Sequence, residues 1–121
     1  MCVAQAVQQL QASCQANDVE AVLKSFAADA TVSGEGAPGI VHGEEGLRAA
    51  IGHMLEFTPS LSIDIHRQQQ VSADSVVTWL HWTSPNPEGE AIAFRSLTTW
   101  RREGETWKIA ADFYGMGQFE G

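Results

Sequence analysis

The spacing of apolar residues in the first half of the chain predicts three amphipathic helices. Glutamines fill the other side of the first helix, which we interpret as a solvated face. Asn17 is expected to end the first helix and to cap the second, with Glu20 completing a capping box. Gly43 is expected to cap the third, followed by Glu44 and Glu45 in its first turn. The predicted buried stripes are Val3, Val7, Leu10 and Cys14; Val19, Val22, Leu23 and Phe26; and Leu47, Ala50, Ile51, Met54 and Leu55.

After Thr58-Pro59, which stops the third helix, the pattern changes from helical spacing to alternation. Leu61, Ile63 and Ile65 alternate with polar residues and begin the first long strand. Helices followed by consecutive hairpins predict an α+β domain, with an antiparallel sheet covered on one face by helices. The further predicted strands are Thr31–Ser33, which precedes a glycine-rich loop over 34–39, and Ser75–Thr83, Ala91–Arg102 and Thr106–Tyr114.

Two of these strands carry apolar residues on both faces, at 76–82 and at 91–94. The helices can cover only one face of the sheet, so something else must cover the other. In a chain of 121 residues, a second copy is the simplest cover. The sequence therefore predicts a homodimer through the outer sheet face.

The composition fits one globular domain spanning residues 1–121. A formal net charge of −8 disfavours binding to nucleic acid or to an anionic membrane surface. No apolar run approaches the roughly 20 residues of a membrane span. The first basic residue is Lys24, so the start of the chain does not resemble a secretory signal, and we expect a cytoplasmic protein.

The cysteines and histidines do not form a recognisable covalent or metal-binding motif. Cys2 and Cys14 fall in one predicted helix, where they would lie about 18 Å apart, too far for a disulfide. We expect Cys14 to be a core residue. Neither a metal nor another cofactor is predicted, because the histidines lack ligand spacing. They are His42, His53, His66 and His81.

Four short sequence segments resemble those of a known family: Asn17–Ala21, Phe26–Val32, His42-Gly43 and Trp107–Ile109. With the order of the elements, they resemble the nuclear transport factor 2-like superfamily, and within it the SnoaL-like polyketide cyclase and ketosteroid isomerase branch. The resemblance implies a cone-shaped, cystatin-like roll, in which a curved and mostly antiparallel sheet wraps around the helices. It also implies an apolar pocket and frequent dimers.

The catalytic groups of the isomerases in this branch are missing from the matching positions. The carboxylate base corresponds to Gly34, and the tyrosine that donates to the oxyanion corresponds to Leu10. The protonated aspartate corresponds, more loosely, to Ser96. A ketosteroid isomerase mechanism, which needs a base and proton donors around an enolate, is therefore not carried over.

Asp112 is the candidate catalytic residue because it stands in the otherwise apolar last strand. Apolar surroundings would raise its pKa and suit it to general acid–base chemistry near neutral pH. Tyr114 lies on the same face of that strand, and the resemblance places Asp112, Tyr114 and Met116 in the pocket. The alternatives are a hydrogen-bonded Asp112 at a strand edge or dimer interface, and Tyr114 as a core aromatic.

His81 is predicted to lie either in the pocket, where it would assist Asp112, or in the dimer interface. The other expected pocket residues are His53 at the mouth, Ser96, Trp82, and Glu35 from the glycine-rich loop, with a solvated Glu35 as the alternative. A pocket rich in aromatic residues would suit a flat apolar ligand.

These features predict a protein that binds a small hydrophobic or aromatic molecule. Asp112, with Tyr114 or His81, would supply acid–base chemistry of the isomerase, cyclase or dehydratase type. The alternative is a non-catalytic ligand-binding or dimeric association domain, which the missing isomerase groups favour.

Overall fold

In the computed structural model, which describes residues 1–37 and 39–121, the helices and two strands precede a run of four long strands. Pro38, part of the predicted glycine-rich loop, lies outside the described residues. The elements are α1 (Val3–Gln15), α2 (Val19–Leu23), β1 (Phe26–Gly34), β2 (Val41–His42), α3 (Gly43–Phe57), β3 (Ser62–Ser72), β4 (Ser75–Ser84), β5 (Ile92–Glu103) and β6 (Thr106–Met116).

The strands form one curved, open sheet of six strands in the order β2-β1-β6-β5-β4-β3. Strands β3 to β6 form consecutive antiparallel hairpins, and the pairing of β1 with β2 is antiparallel as well. The pairing of β1 with β6 is parallel. This mostly antiparallel sheet with N-terminal helices confirms the predicted α+β, cystatin-like class.

The helices cover one face of the sheet, which we call the inner face. Leu10 and Val22 of the helices belong to the same buried cluster as Leu80, Trp100 and Ile109 of the strands. These five side chains are at most 2% exposed. Removing this apolar surface from water stabilises the domain by about 25 cal/mol per Å².

The junction between α1 and α2 differs from the prediction. Asn17 ends α1 in the left-handed conformation, with a φ of 55°. The N-cap of α2 is Asp18, whose carboxylate accepts a hydrogen bond from the Ala21 amide at 3.1 Å. Glu20 does not complete a capping box, because its carboxylate binds Arg48 of α3 at 2.7 Å.

Two other boundaries were wrong. Phe26 begins β1 instead of continuing the apolar stripe of α2, and β1 is longer than the predicted Thr31–Ser33. His42, not Gly43, occupies the N-cap position of α3. A strand that pairs with β6, far away in sequence, cannot be recognised from local helical spacing.

Two glutamines of α1 bond to the backbone of the β3 region. The Gln11 side-chain oxygen accepts a hydrogen bond from the Ile63 amide at 2.7 Å. The Gln15 amide donates to the Leu61 carbonyl at 3.0 Å. Because β3 is an edge strand, these bonds satisfy backbone groups that another chain could otherwise pair with.

Both cysteines are free. Cys14 is buried, as predicted, and burial raises the pKa of its thiol to about 12, so it is inert at neutral pH. Cys2 is exposed. None of the helices in the described residues is both long and apolar enough to cross a membrane.

Candidate functional site

Asp112 lies in the middle of the sheet and on its inner face. It pairs with Thr98 on β5 and with Val32 on β1, and both partners are buried. Tyr114, two residues along β6, pairs with Ser96. Since paired residues point to the same side of a sheet, these side chains share the face that the helices cover.

A chain of hydrogen bonds leads from the core to the Asp112 carboxylate. The Trp82 indole N–H donates to Ser96 Oγ at 2.8 Å, and Ser96 Oγ lies 2.9 Å from Thr98 Oγ1. The Thr98 hydroxyl donates to Asp112 Oδ1 at 2.5 Å. Trp82, Ser96 and Thr98 are buried, so this polar chain is sealed from water along its length.

Burial is the main influence on the Asp112 carboxyl and raises its pKa from 3.8 to about 6, while the hydroxyls of Thr98 and Ser96 act in the opposite direction. A carboxyl with this pKa is mostly ionised at pH 7 yet takes up a proton readily, as a general base requires.

The two oxygens of Asp112 have different surroundings. Oδ1 is held by Thr98, whereas Oδ2 receives no hydrogen bond from residues 1–37 or 39–121. No buried side-chain oxygen in that part of the chain lacks a partner. It follows that Oδ2 is not completely buried.

Tyr114 borders this site from the side of β1. Its half-buried ring packs against the small cluster formed by Ala27, Ala30, Val32 and Leu47. The spacing of a strand places Tyr114 about 7 Å from Asp112 along the same face. One bound molecule of modest size could therefore contact both side chains.

His81 lies on the opposite, outer face, where it pairs with Arg95 and not with the row that contains Asp112. Its Nε2 accepts a hydrogen bond from the Phe119 amide at 3.0 Å. The imidazole also stacks on His66, with ring centroids 4.4 Å apart. The structure therefore separates His81 from Asp112 by the thickness of the sheet.

The remaining predicted pocket residues lie at the margins of the site. Glu35 is exposed, and one of its carboxylate oxygens lies 3.4 Å from the Met116 amide. His53 is exposed on α3 beside Phe57, with ring centroids 4.6 Å apart. Met116 is 57% exposed at the end of β6. Trp82 and Ser96 are the two that join Asp112, through the hydrogen-bond chain.

Two cavities lie elsewhere, around the N-terminus of α1 and the start of β6. The larger, of about 600 Å³, is bordered by Cys2, Gln68, Arg102 and Trp107, and none of the predicted pocket residues borders either cavity. Within residues 1–37 and 39–121, no three His, Cys, Asp or Glu side chains come together in the manner of a metal site.

The arrangement of helices and strands agrees with a comparison against protein families. The family described as the SnoaL-like domain matches residues 7–111. The chain belongs to this family. No curated protein sequence is similar enough to count as a relative of this SnoaL-like domain.

Solved structures share its fold at low sequence identity. A ketosteroid isomerase-like protein from Erwinia carotovora atroseptica is 19% identical, with a TM-score of 0.76 over 93% of this chain and 91% of that chain. A calcium/calmodulin-dependent protein kinase II association domain from Xanthomonas campestris is 14% identical, with a TM-score of 0.78 over 95% and 85%. An NTF2-like protein of unknown function from Shewanella oneidensis is 12% identical, with a TM-score of 0.77 over 93% and 95%. These likenesses establish the fold.

Position 34, which the resemblance matches to the base of the isomerases, has no room for a side chain in this SnoaL-like domain. A Cβ on Gly34 would lie 2.4 Å from the Tyr114 carbonyl oxygen and 2.7 Å from Tyr114 Cγ. Tyr114 therefore occupies the space into which a side chain at position 34 would project.

Thr98 is the site residue that the sequence analysis missed. Ser96 and Thr98 are small polar residues at alternating positions of a strand whose next inward residue is Trp100, and all three are buried. Two hydroxyls on the buried face of a strand require partners. The two hydroxyls therefore indicated that a polar side chain faces them in the core, and this side chain is Asp112.

The outer face of the SnoaL-like domain carries an apolar row across three central strands. Trp79 pairs with Leu97, and Leu97 pairs with Phe113. Leu97 is 38% exposed and Phe113 is 61% exposed. The row begins where the Arg67 guanidinium lies over the Trp79 ring, 5.6 Å from its centroid.

Proposed function

We propose that this SnoaL-like domain binds a small apolar or aromatic molecule at the inner face, and that Asp112 exchanges a proton with it. The observation that carries the proposal is the Asp112 carboxyl itself, which is hydrogen-bonded through Oδ1 and not completely buried at Oδ2. The raised pKa supports a base in the resting state that becomes an acid after accepting a proton.

Tyr114 is the second group in this proposal. Its phenol is on the same face as Asp112 and can orient or donate to a polar atom of the bound molecule. Such a pair suits acid–base reactions of the isomerase, cyclase or dehydratase type, in which a proton leaves one atom of the substrate and returns to another. His81 is omitted because it lies behind the sheet.

The test uses 2-naphthol, a neutral aromatic alcohol whose hydroxyl can donate to Oδ2. Binding is measured by saturation-transfer NMR at pH 7.5 for the natural protein and for Asp112→Asn, which replaces one acceptor oxygen with a donor. We expect at least tenfold weaker binding to Asp112→Asn. Asp64→Asn makes the same change on the exposed surface of β3 and should bind normally. Equal binding by all three proteins would refute the proposed site.

The natural ligand is sought by native mass spectrometry of protein purified from its own host. A bound small molecule that is lost from Asp112→Asn, and turned over by the natural protein but not by this variant, supports acid–base catalysis. A molecule that is bound equally by both and left unchanged supports the non-catalytic alternative.

A second proposal is a homodimer through the outer face. The row formed by half-buried Trp79 and exposed Leu97 and Phe113 favours it, because soluble monomers rarely expose a continuous apolar surface on a central sheet. The likeness to association domains of the kinase II type offers a precedent for assembly by this fold.

The dimer is tested by light scattering coupled to size-exclusion chromatography. We expect a dimer at micromolar concentration and a monomer for Phe113→Glu. Phe57→Glu is the matched control, because both phenylalanines are 61% exposed and only Phe113 belongs to the row. A natural protein that is monomeric under these conditions would refute the proposal.

We also propose a cytoplasmic location. Both cysteines are free thiols, which a reducing compartment such as the cytoplasm maintains. Fractionation of the host cells, with the protein recovered in the cytoplasmic fraction, is the expected result.

A further inference from the structure

Asp112 is held by a hydrogen-bond chain whose direction follows from its members. An indole N–H can only donate, and an ionised carboxylate can only accept. The single proton of Thr98 therefore points to Asp112 Oδ1, and the proton of Ser96 points to Thr98. Trp82 supplies the remaining bond, to Ser96 Oγ.

The neighbouring hydroxyl of Thr78 does not belong to this chain. It accepts a hydrogen bond from the Trp100 indole at 2.9 Å and donates to the Thr98 carbonyl at 3.3 Å. Its proton and one lone pair are therefore already used. Among the described residues around Asp112, the other titratable group on the inner face of β6 is Tyr114.

Uptake of a proton by Asp112 has different consequences at its two oxygens. A proton on Oδ1 would have to be donated to Thr98 Oγ1. The Thr98 hydroxyl would then turn its own proton towards Ser96 Oγ. As a result, the Ser96 proton would lose Thr98 Oγ1, its present acceptor. A proton on Oδ2 leaves all three bonds as they are, since Oδ1 still accepts from Thr98. The second arrangement keeps every buried polar group satisfied.

We propose that Trp82, Ser96 and Thr98 are positioning residues that keep the exchangeable proton of Asp112 on Oδ2, the oxygen that these residues leave without a hydrogen bond. The indole and hydroxyl protons of the hydrogen-bond chain all point towards Oδ1. The proton that Asp112 exchanges with a bound molecule therefore leaves and returns through Oδ2 alone. This inference deepens the proposed acid–base function, on which it rests.

The test is made on the protein without ligand, so its outcome is separate from that of the naphthol experiment. The Asp112 carboxyl carbon is followed by ¹³C NMR as a function of pH and assigned by its loss in Asp112→Asn. Thr98→Val removes the donor, and we expect the Asp112 pKa to rise by about one unit. Thr98→Ser should restore the natural value.

Thr78→Val is the matched control. Thr78 and Thr98 are both fully buried threonines and pair directly across β4 and β5. The control should leave the Asp112 pKa unchanged. If Thr98→Val does not fold, Ser96→Ala tests the next link in the chain, with a smaller rise expected because Ser96 lowers the Asp112 pKa less than Thr98 does.

Infrared spectroscopy tests which oxygen carries the proton. At pH 4.5, the difference between the natural protein and Asp112→Asn isolates the Asp112 carbonyl stretch. With the proton on Oδ2, the carbonyl is Oδ1 and is hydrogen-bonded, so Thr98→Val moves the stretch to higher wavenumber. A carbonyl stretch that does not move, or a pKa that rises equally in Thr78→Val, overturns the inference.

Discussion

Replacing Asp112 by Asn is expected to change how the stability of the domain depends on pH. Burial raises the pKa of this carboxyl from 3.8 to about 6 on folding. Between these values the folded state binds more protons than the unfolded state, so the free energy of unfolding falls as the pH rises. Asp112 thus contributes least to stability above about pH 6, where its buried carboxylate is charged.

The magnitude follows from the size of the shift. About two pKa units correspond to about 3 kcal/mol, of which about 2 to 3 kcal/mol develops between pH 4 and pH 7.5. The Asn side chain keeps an oxygen that can accept a hydrogen bond from Thr98, but it cannot ionise. The free energy of unfolding of Asp112→Asn, relative to that of the natural protein, should therefore increase by this amount over the same range.

The assay is urea denaturation followed by tryptophan fluorescence at several pH values between 4 and 7.5. Asp64→Asn controls for the loss of one carboxylate from an acidic chain. A stability difference for Asp112→Asn that is independent of pH, or that decreases as the pH rises, would show that burial does not raise the Asp112 pKa.

Gly34→Ala should destabilise the domain by about 1 to 3 kcal/mol, because the added Cβ would lie 2.4 Å from a carbonyl oxygen of β6. Gly52→Ala, inside α3 with open space around the added Cβ, should stabilise it by about 0.5 to 1 kcal/mol in the same thermal unfolding assay. Gln11→Ala should accelerate hydrogen exchange of the Ile63 amide and cost about 1 kcal/mol, while Gln8→Ala, on the exposed side of α1, should do neither. Equal exchange in both glutamine variants would contradict the assigned edge contact.

The alternating part of the sequence predicted the structure well because it is governed by local rules. Leu61, Ile63 and Ile65 alternate as a half-buried strand requires, and the turns between the last four strands stand where polar residues cluster. The start of β1 was misassigned, because Phe26 fits helical spacing after Val22 and Leu23. What makes it a strand is its pairing with β6.

The candidate site was only partly predictable for a similar reason. Asp112 was recognisable as a carboxylate among apolar neighbours. The sequence left open whether His81 faced the pocket or the interface, and the register of β4 against β5 places it on the outer face. The role of Thr98 depends on the same kind of register, which the sequence of one strand does not specify.

The parallel pairing of β1 with β6 has a consequence for how the domain is made. Phe26 and Ile109, about 80 residues apart, lie opposite each other in this pair. During synthesis β1 leaves the ribosome before β3, β4 and β5, and its long partner β6 emerges after them. Until then β1 has only the two-residue β2 beside it, and its other edge is open to strands of other chains. Closing such a distant contact also slows folding, so the sheet is completed only after β6 has been made.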